Sequence, residues 1–281
     1  MYDLKDANAK MVKLLRKGRP FLVTRLGGET GRVACSILLG RTPHERDVFA
    51  MQKNAGIYCN STADVSLYAQ MYNRALRNST YLACFPHLCT ETQHVYRKTY
   101  SLKALHNRVL EPFHCVVQGI SPWSQKLIGK KVLVVSPFAR SMREQMDAGF
   151  RIFRDIDIFS AGQAFLFYKA YCSLAGHRPH ESWVETFQSM CRDIAKLDFD
   201  VALLGCGGYG LPLCDFIYST MGKSAVYVGG GLQLLFGVMG KRWVENDMWK
   251  KIIRENHTRF VRPSGDEVPT NKQVIEGGCY W

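Results

Sequence analysis

The sequence predicts an α/β fold in which a mostly parallel sheet is flanked by helices. Two observations predict it. Short apolar, β-prone runs recur along the chain, most of them followed at once by a glycine- or serine-bearing turn. The clearest lies within Asp198–Trp243, where Val201–Leu204 runs into Gly205, Gly207, Gly208 and Gly210. A helix then starts near Leu211–Pro212 and extends to about Met221, Gly222 caps it, and Ser224–Val228 forms the next parallel strand before Gly229–Gly231. Strand, glycine turn, helix and strand make a Rossmann-like βαβ unit.

Taken in order, Asp6–Lys17 carries Met11, Leu14 and Leu15 at helical spacing and predicts an amphipathic helix. Phe21–Thr24 is a first strand, and Arg25-Leu26-Gly27-Gly28-Glu29 is the turn beyond it. Gly31–Gly40 and Asp47–Gln52 follow as helices, and Asn54–Tyr58 breaks the helical pattern. Thr62–Asn78 is helical and Tyr81–Phe85 is a strand. His87–Lys103 mixes aromatic and basic residues without a legible period, as an acceptor-binding insertion or as plain surface. Lys131–Val135 is a buried strand, Ser136–Ser141 its loop, and a helix runs on through Gln145. Phe165–Leu174, Trp183–Lys196 and Asn246–Asn256 predict further helices. The last residues, Glu276-Gly277-Gly278-Cys279-Tyr280-Trp281, carry two aromatics that favour docking against the body over fraying.

With 281 residues and 47% hydrophobic content, the chain supports one domain over 1–281, built from halves 1–128 and 129–281. No run approaches the roughly 18–20 apolar residues of a membrane span. The first residues lack the apolar centre of a secretory signal, so no membrane span and a cytoplasmic location are expected. The ten cysteines form no CxxC pair and no Cys/His cluster at zinc spacing, which predicts free thiols in a reducing compartment. A formal net charge of +13 calls for acidic partners. The Lys and Arg residues are scattered rather than gathered in a stripe, which argues against a nucleic-acid partner and leaves nucleotide phosphates and anionic polymers.

In open parallel sheets ligands bind beyond the carboxyl ends of the strands, which places Arg25 and Glu29 where chemistry would occur; a surface ion pair is the competing explanation. The turn at Gly205–Gly210 would let a phosphate approach backbone N–H groups and the positive end of a helix, unless its glycines serve packing alone. A dehydrogenase wants an acidic residue near the end of the second strand for a ribose diol. Here three glycines stand there, Gly229–Gly231, and the nearest charges are Lys241 and Arg242, which suit a diphosphate better. Ser136, Arg140, Ser141, Arg143 and Gln145 form a polar group for phosphate or sugar hydroxyls, with helix capping by Ser141 as the alternative. Asp198-Phe199-Asp200 looks like a metal-binding DxD but precedes its strand, which puts both carboxylates at the opposite edge of the sheet.

RLGGE at Arg25–Glu29, NAGIY at Asn54–Tyr58, VLVVSPF at Val132–Phe138, GCGGYGLPL at Gly205–Leu213, GGGLQLLFG at Gly229–Gly237, GKRW at Gly240–Trp243 and the terminal GGCYW run in order along nearly the whole chain. As a set they resemble a family of bacterial polysaccharide and large-virus (chlorovirus) glycan-synthesis proteins similar to GT-D-type glycosyltransferases. The resemblance implies a nucleotide-sugar donor, with xylosyl transfer from UDP-xylose to a capsid glycan as its most specific form. GT-D enzymes carry an Arg-Phe-Gly-Asp-Gly-Glu motif whose Asp and Glu form a metal and nucleotide-sugar site. Arg25, Leu26 and Gly27 match its first three positions, Gly28 replaces the Asp, Thr30 falls where the Glu would be, and Glu29 comes one residue early. One carboxylate is a poor hard-cation site by itself, so no cofactor is predicted, and Mn²⁺ or Mg²⁺ remains the alternative.

The expected reaction moves a sugar from a UDP-sugar, or another nucleoside-diphosphate sugar, to a hydroxyl of an oligosaccharide or glycoprotein glycan. Glu29 would be the base and inversion would follow, with Arg25 beside it at the catalytic centre. The donor would be held by Gly27, Gly28, Ser136, Ser141, Gly205, Gly207, Gly208, Tyr209, Gly210, Gly230, Gln233 and Arg242. Asn54, Gly56, Gln163, Trp243 and Trp281 would serve the acceptor or support the site. The rival readings are an NAD(P)-linked oxidoreductase, with Arg242 facing a ribose 2′-phosphate, and a non-catalytic nucleotide- or glycan-binding accessory protein.

Overall fold

A computed structural model of the chain describes residues 3–275 and 277–281; Glu276, expected as part of the docked tail, lies outside the described residues. Within them one seven-stranded sheet is formed by β1 (Leu22–Arg25), β2 (Tyr81–Cys84), β3 (Ala104–His106), β4 (Lys131–Ser136), β5 (Ala164–Lys169), β6 (Val201–Leu204) and β7 (Ser224–Tyr227). The spatial order is β3-β2-β1-β7-β6-β4-β5, and every pairing is parallel, as at Val23↔Val226, Leu204↔Tyr227 and Val132↔Val201. The fold class is therefore the expected one, a Rossmann-like parallel sheet flanked by helices.

The strands' period of two divides the core into two layers. Leu22, Leu133, Val135, Ala202, Leu204, Ala225 and Tyr227 face one layer, with α2 (Gly28–Leu38), α3 (Glu45–Ala55), α4 (Thr62–Arg77), α5 (Thr90–Thr99), α8 (Trp183–Ile194) and α9 (Gly210–Asp215). Val23, Val132, Val134, Val201, Leu203 and Val226 face the other, with α1 (Leu4–Arg16), α6 (Phe113–Val117), α7 (Ala139–Asp147), α10 (Leu232–Leu235) and α12 (Asp247–Asn256). A short α11 (Lys241–Val244) sits beside the last residues. Caps fix several starts: Ser61 and Asp64 close a capping box on α4, Asp3 caps α1, and Asn246 accepts from Trp249 on α12.

The differences from expectation have local causes. Phe165–Leu174 is not helical: Ala164–Lys169 is the edge strand β5, whose inner residues are half-buried on both faces and so lack a clean alternation. The three-residue β3 falls just past the stretch without a legible period. The helix after β1 starts at Gly28 rather than Gly31, which puts Glu29 in its first turn. The helix after β6 extends as expected, from α9 directly into a π-helical segment over Phe216–Thr220, before Gly222 turns the chain at φ +65°. The tail is docked as expected: Trp281 is buried, its Nε1 donates to the Glu267 carbonyl (2.8 Å) and its ring meets Phe138 edge-on.

Connections set the site. The chain leaves β1 and β6 toward one layer and leaves β7 and β4 toward the other. Since these four strands are spatial neighbours in the order β1-β7-β6-β4, their carboxyl ends splay apart alternately and leave a crevice.

Candidate functional site

That crevice holds a cavity of about 280 Å³. Its lining includes Arg25, Gly27, Gly28 and Glu29 beyond β1, Ser136 beyond β4, Gly205, Gly207 and Gly208 beyond β6, and Gly230 and Gln233 beyond β7. Asn54 from the last turn of α3 closes one side, and Arg242 and Trp243 stand at another. Residues as far apart in the chain as Arg25 and Arg242, singled out from sequence, thus share one cavity.

Three glycines follow β7, and each leaves room for a side chain of the site rather than for open space. A Cβ on Gly229, whose φ is +82°, would lie 2.6 Å from an Arg25 Nη; on Gly230, 2.7 Å from the Tyr280 ring; on Gly231, 1.9 Å from Glu111 Oε1. The loop is the point where Arg25, Tyr280 and Glu111 converge. Arg25 turns its guanidinium over the Phe85 ring at 4.7 Å, and its Nε donates to the Leu26 carbonyl (3.3 Å). Glu29 instead lies on α2, close enough to Arg32 to act on it electrostatically.

The glycines after β6 are explained in the same way. A Cβ on Gly208 would meet Ile57 at 2.4 Å, one on Gly205 the Gly229 carbonyl at 2.5 Å, one on Gly210 the Tyr227 ring at 2.2 Å, and Gly207 needs φ +60° beneath the Ala55 carbonyl. Packing against protein, the alternative weighed from sequence, accounts for every one of these bare positions. The turn's carbonyls are also taken: Tyr227 Oη donates to Gly207 O (2.9 Å) and Tyr68 Oη to Gly208 O (2.9 Å). One turn farther along α4, Tyr72 Oη accepts the Gly27 N–H (3.0 Å). Tyr68 and Tyr72 therefore pin the loops of β6 and β1 from one helix. Burial raises both hydroxyls, Tyr72 to about 12, so both stay protonated near neutral pH.

With the carbonyls tied down, the turn directs N–H groups elsewhere. Gly207 and Gly208 open a helical segment, and Gly28, Glu29 and Thr30 open the eleven-residue α2, whose first helical bond is Gly31 N–H to Gly27 O (3.2 Å). First-turn N–H groups have no intrahelical acceptor and carry the positive end of the helix dipole. Both sets border the cavity beside Arg25.

Several expected site residues lie outside the cavity lining. Ser141 is buried, and its hydroxyl donates to the Glu267 carboxylate, which also accepts the N–H groups of Arg140 (2.9 Å) and Ser141 (3.2 Å). A side chain of this protein thus occupies the anion position at the start of α7. Tyr209 is buried with its hydroxyl 3.2 Å from that of Ser173, Gly56 is the left-handed cap of α3 and its carbonyl accepts the Ser173 hydroxyl (2.8 Å), and Gly210 packs on Tyr227. Trp281 packs in the core. Gln163 lies at the other edge of the sheet, before β5, where it donates to the Lys130 carbonyl (2.7 Å). Asp198 and Asp200 lie at that far edge too, bonded to Lys131, as their position before the strand predicted.

The lining also holds Glu111, Leu174 and Tyr227, which the sequence did not mark, and Thr30, Phe138 and Tyr280, which its motifs contain but to which it gave no role in the site. Glu111 follows β3 without any motif around it, and its Oε2 lies 3.2 Å from His114 Nε2. Tyr280 is held by Arg242, whose Nη1 reaches its hydroxyl (3.3 Å) and whose guanidinium lies 4.7 Å from its ring centre.

The cation site that the resemblance implies is not reassembled here. Gly28 offers no side chain, Thr30 is buried, and among the described residues no three of His, Cys, Asp or Glu gather as a metal site. Among the described residues no helix is long and apolar enough to cross a membrane. Comparison with known proteins finds no matching family model, no similar curated protein and no similar solved structure.

Proposed function

We propose that the chain is a GT-D-like glycosyltransferase that moves a sugar, xylose in the most specific reading, from a UDP-sugar to a glycan hydroxyl. The observation that carries the proposal is the convergence in one cavity of backbone donors from two helical starts, the cation Arg25 and the carboxylates Glu29 and Glu111. Donors and cations suit a departing diphosphate, and a carboxylate suits the proton of an attacking hydroxyl.

In the proposed step Glu29 takes the proton of the acceptor hydroxyl, and the oxygen forms a bond to the anomeric carbon. The bond to the diphosphate breaks, and its electron pair stays on the phosphate oxygen. Arg25, Arg242 and the N–H groups of Gly28, Gly207 and Gly208 stabilise that charge. Attack opposite the leaving group inverts the anomeric centre.

A thermal-shift panel of nucleotide sugars against NADPH selects the donor, and UDP release is then measured with and without glycans. Acceptor-dependent release supports transfer. Stabilisation by NADPH alone would favour an oxidoreductase, and binding without turnover an accessory protein.

A further inference from the structure

The cavity is polarised. Its donors, Arg25 and the helical starts at Gly28 and Gly207, come from the loops after β1 and β6. Against the loop after β7 it presents acceptors. Gln233, 1% exposed, donates through Nε2 to the Tyr280 carbonyl (3.2 Å). That bond fixes the amide, because reversing it would set Oε1 against a carbonyl oxygen. Gln233 Oε1 is thereby left buried without a donor. An unpaired buried acceptor is destabilising unless a ligand supplies the donor. Beside the same loop stands Glu111, with Oε2 on His114 and Oε1 against Gly231. A carboxylate accepts and never donates.

We infer that Glu111 and Gln233 form a hydroxyl-reading subsite that takes the transferred sugar of a nucleoside-diphosphate sugar, while the diphosphate lies toward Arg25 and the backbone donors. The inference rests on the glycosyltransferase reading and adds to it the direction in which the donor lies and a residue, Glu111, that fixes which sugars fit. His114 orients Glu111 from behind. A sugar hydroxyl that reaches Gln233 Oε1, which is closed to water in this structure, supplies the missing donor, and a sugar lacking it leaves that acceptor unpaired. Discrimination of this kind, by a buried polar group left without its partner, is stronger than discrimination by size.

The test is calorimetric titration of the full chain with UDP and with UDP-xylose, using Glu111→Ala, Glu111→Gln and Gln233→Leu. Glu111 is half-buried, so its variants are expected to fold; thermal unfolding checks the buried Gln233→Leu. The expected result is that UDP affinity stays within about twofold while UDP-xylose affinity falls about tenfold in Glu111→Ala, as for a lost hydrogen bond to a charged group, with Glu111→Gln retaining much of it. Equal losses for UDP and UDP-xylose would place these residues on the nucleoside and overturn the subsite. Unchanged UDP-xylose affinity in both Glu111→Ala and a folded Gln233→Leu would also overturn it, while leaving the transferase reading intact. If the unaltered chain binds neither ligand, the transferase reading fails, and the subsite fails with it.

Discussion

Replacing Gly231 and Gly205 by alanine separates a glycine that admits a site residue from one that serves packing. Neither has a positive φ, so the added methyl is judged by what it meets. At Gly231 the nearest atoms all belong to the Glu111 side chain, at 1.9, 2.5 and 3.0 Å, and a flexible carboxylate can swing away. At Gly205 they are the Gly229 carbonyl at 2.5 Å and Leu232 at 2.8 and 3.0 Å, which are backbone and core. Overpacking of a core costs about 1–3 kcal/mol, so Gly205→Ala is expected to lose that much. Gly231→Ala is expected to stay within about 0.5 kcal/mol of the unaltered chain, as for a change that disturbs no core contact. Because Glu111 is displaced, Gly231→Ala should also reproduce the selective loss of UDP-xylose affinity. Urea unfolding and calorimetry measure the two effects separately. Equal destabilisation of both variants, or a stable Gly231→Ala that keeps UDP-xylose affinity, would refute this account of the loop. Gly207→Val would be a poorer probe, since φ +60° beneath the Ala55 carbonyl strains the fold whatever the ligand does.

Glu29→Gln keeps the size of the side chain but cannot accept a proton, so turnover should fall roughly 100-fold with UDP affinity unchanged; near-normal turnover would remove Glu29 as the base. Activity should survive EDTA, because cations and backbone donors of the chain carry the leaving-group charge; loss restored by Mn²⁺ would overturn that and recast Glu29 as a ligand. Glu267→Ala removes the acceptor of the Arg140 and Ser141 N–H groups, so urea unfolding should show a loss of about 1–2 kcal/mol, while UDP affinity, carried by Arg25 and the backbone donors after β1 and β6, stays the same. The Cys206 thiol, pushed up to about 12 by burial, should resist alkylation in the folded chain at neutral pH and react once urea unfolds it; rapid native modification would contradict its burial.

The legible parts of the sequence are those where a local rule decides. β4, β6 and β7 are continuous apolar runs because a parallel strand is covered on both faces, and turn residues mark their ends. The edge strand β5 has no such signature, and Phe165-Leu166-Phe167-Tyr168 reads equally well as a turn of a buried helix. The first loop follows β1 as its glycines predict, but glycine is a weak helix former and so gives no sign that α2 starts at Gly28. Glycine itself was the ambiguous letter. Bare backbone beside a ligand and bare backbone beside a neighbouring chain segment look the same in sequence, and only the positions of Ala55, Ile57 and Leu232 show which applies after β6. Glu111 carried no signal because its proximity to the site arises from pairing between distant strands, whereas Ser141 carried a false one, since the partner that claims it, Glu267, is more than a hundred residues away.

Titration of the full chain with UDP-xylose and with NADPH, each repeated in the presence of saturating UDP, separates a nucleotide-sugar transferase from a nicotinamide enzyme. UDP-xylose is expected to bind, UDP to displace it because both share the diphosphate position, and NADPH not to compete. Saturable NADPH binding that UDP leaves untouched, with no heat from UDP-xylose, would contradict that expectation.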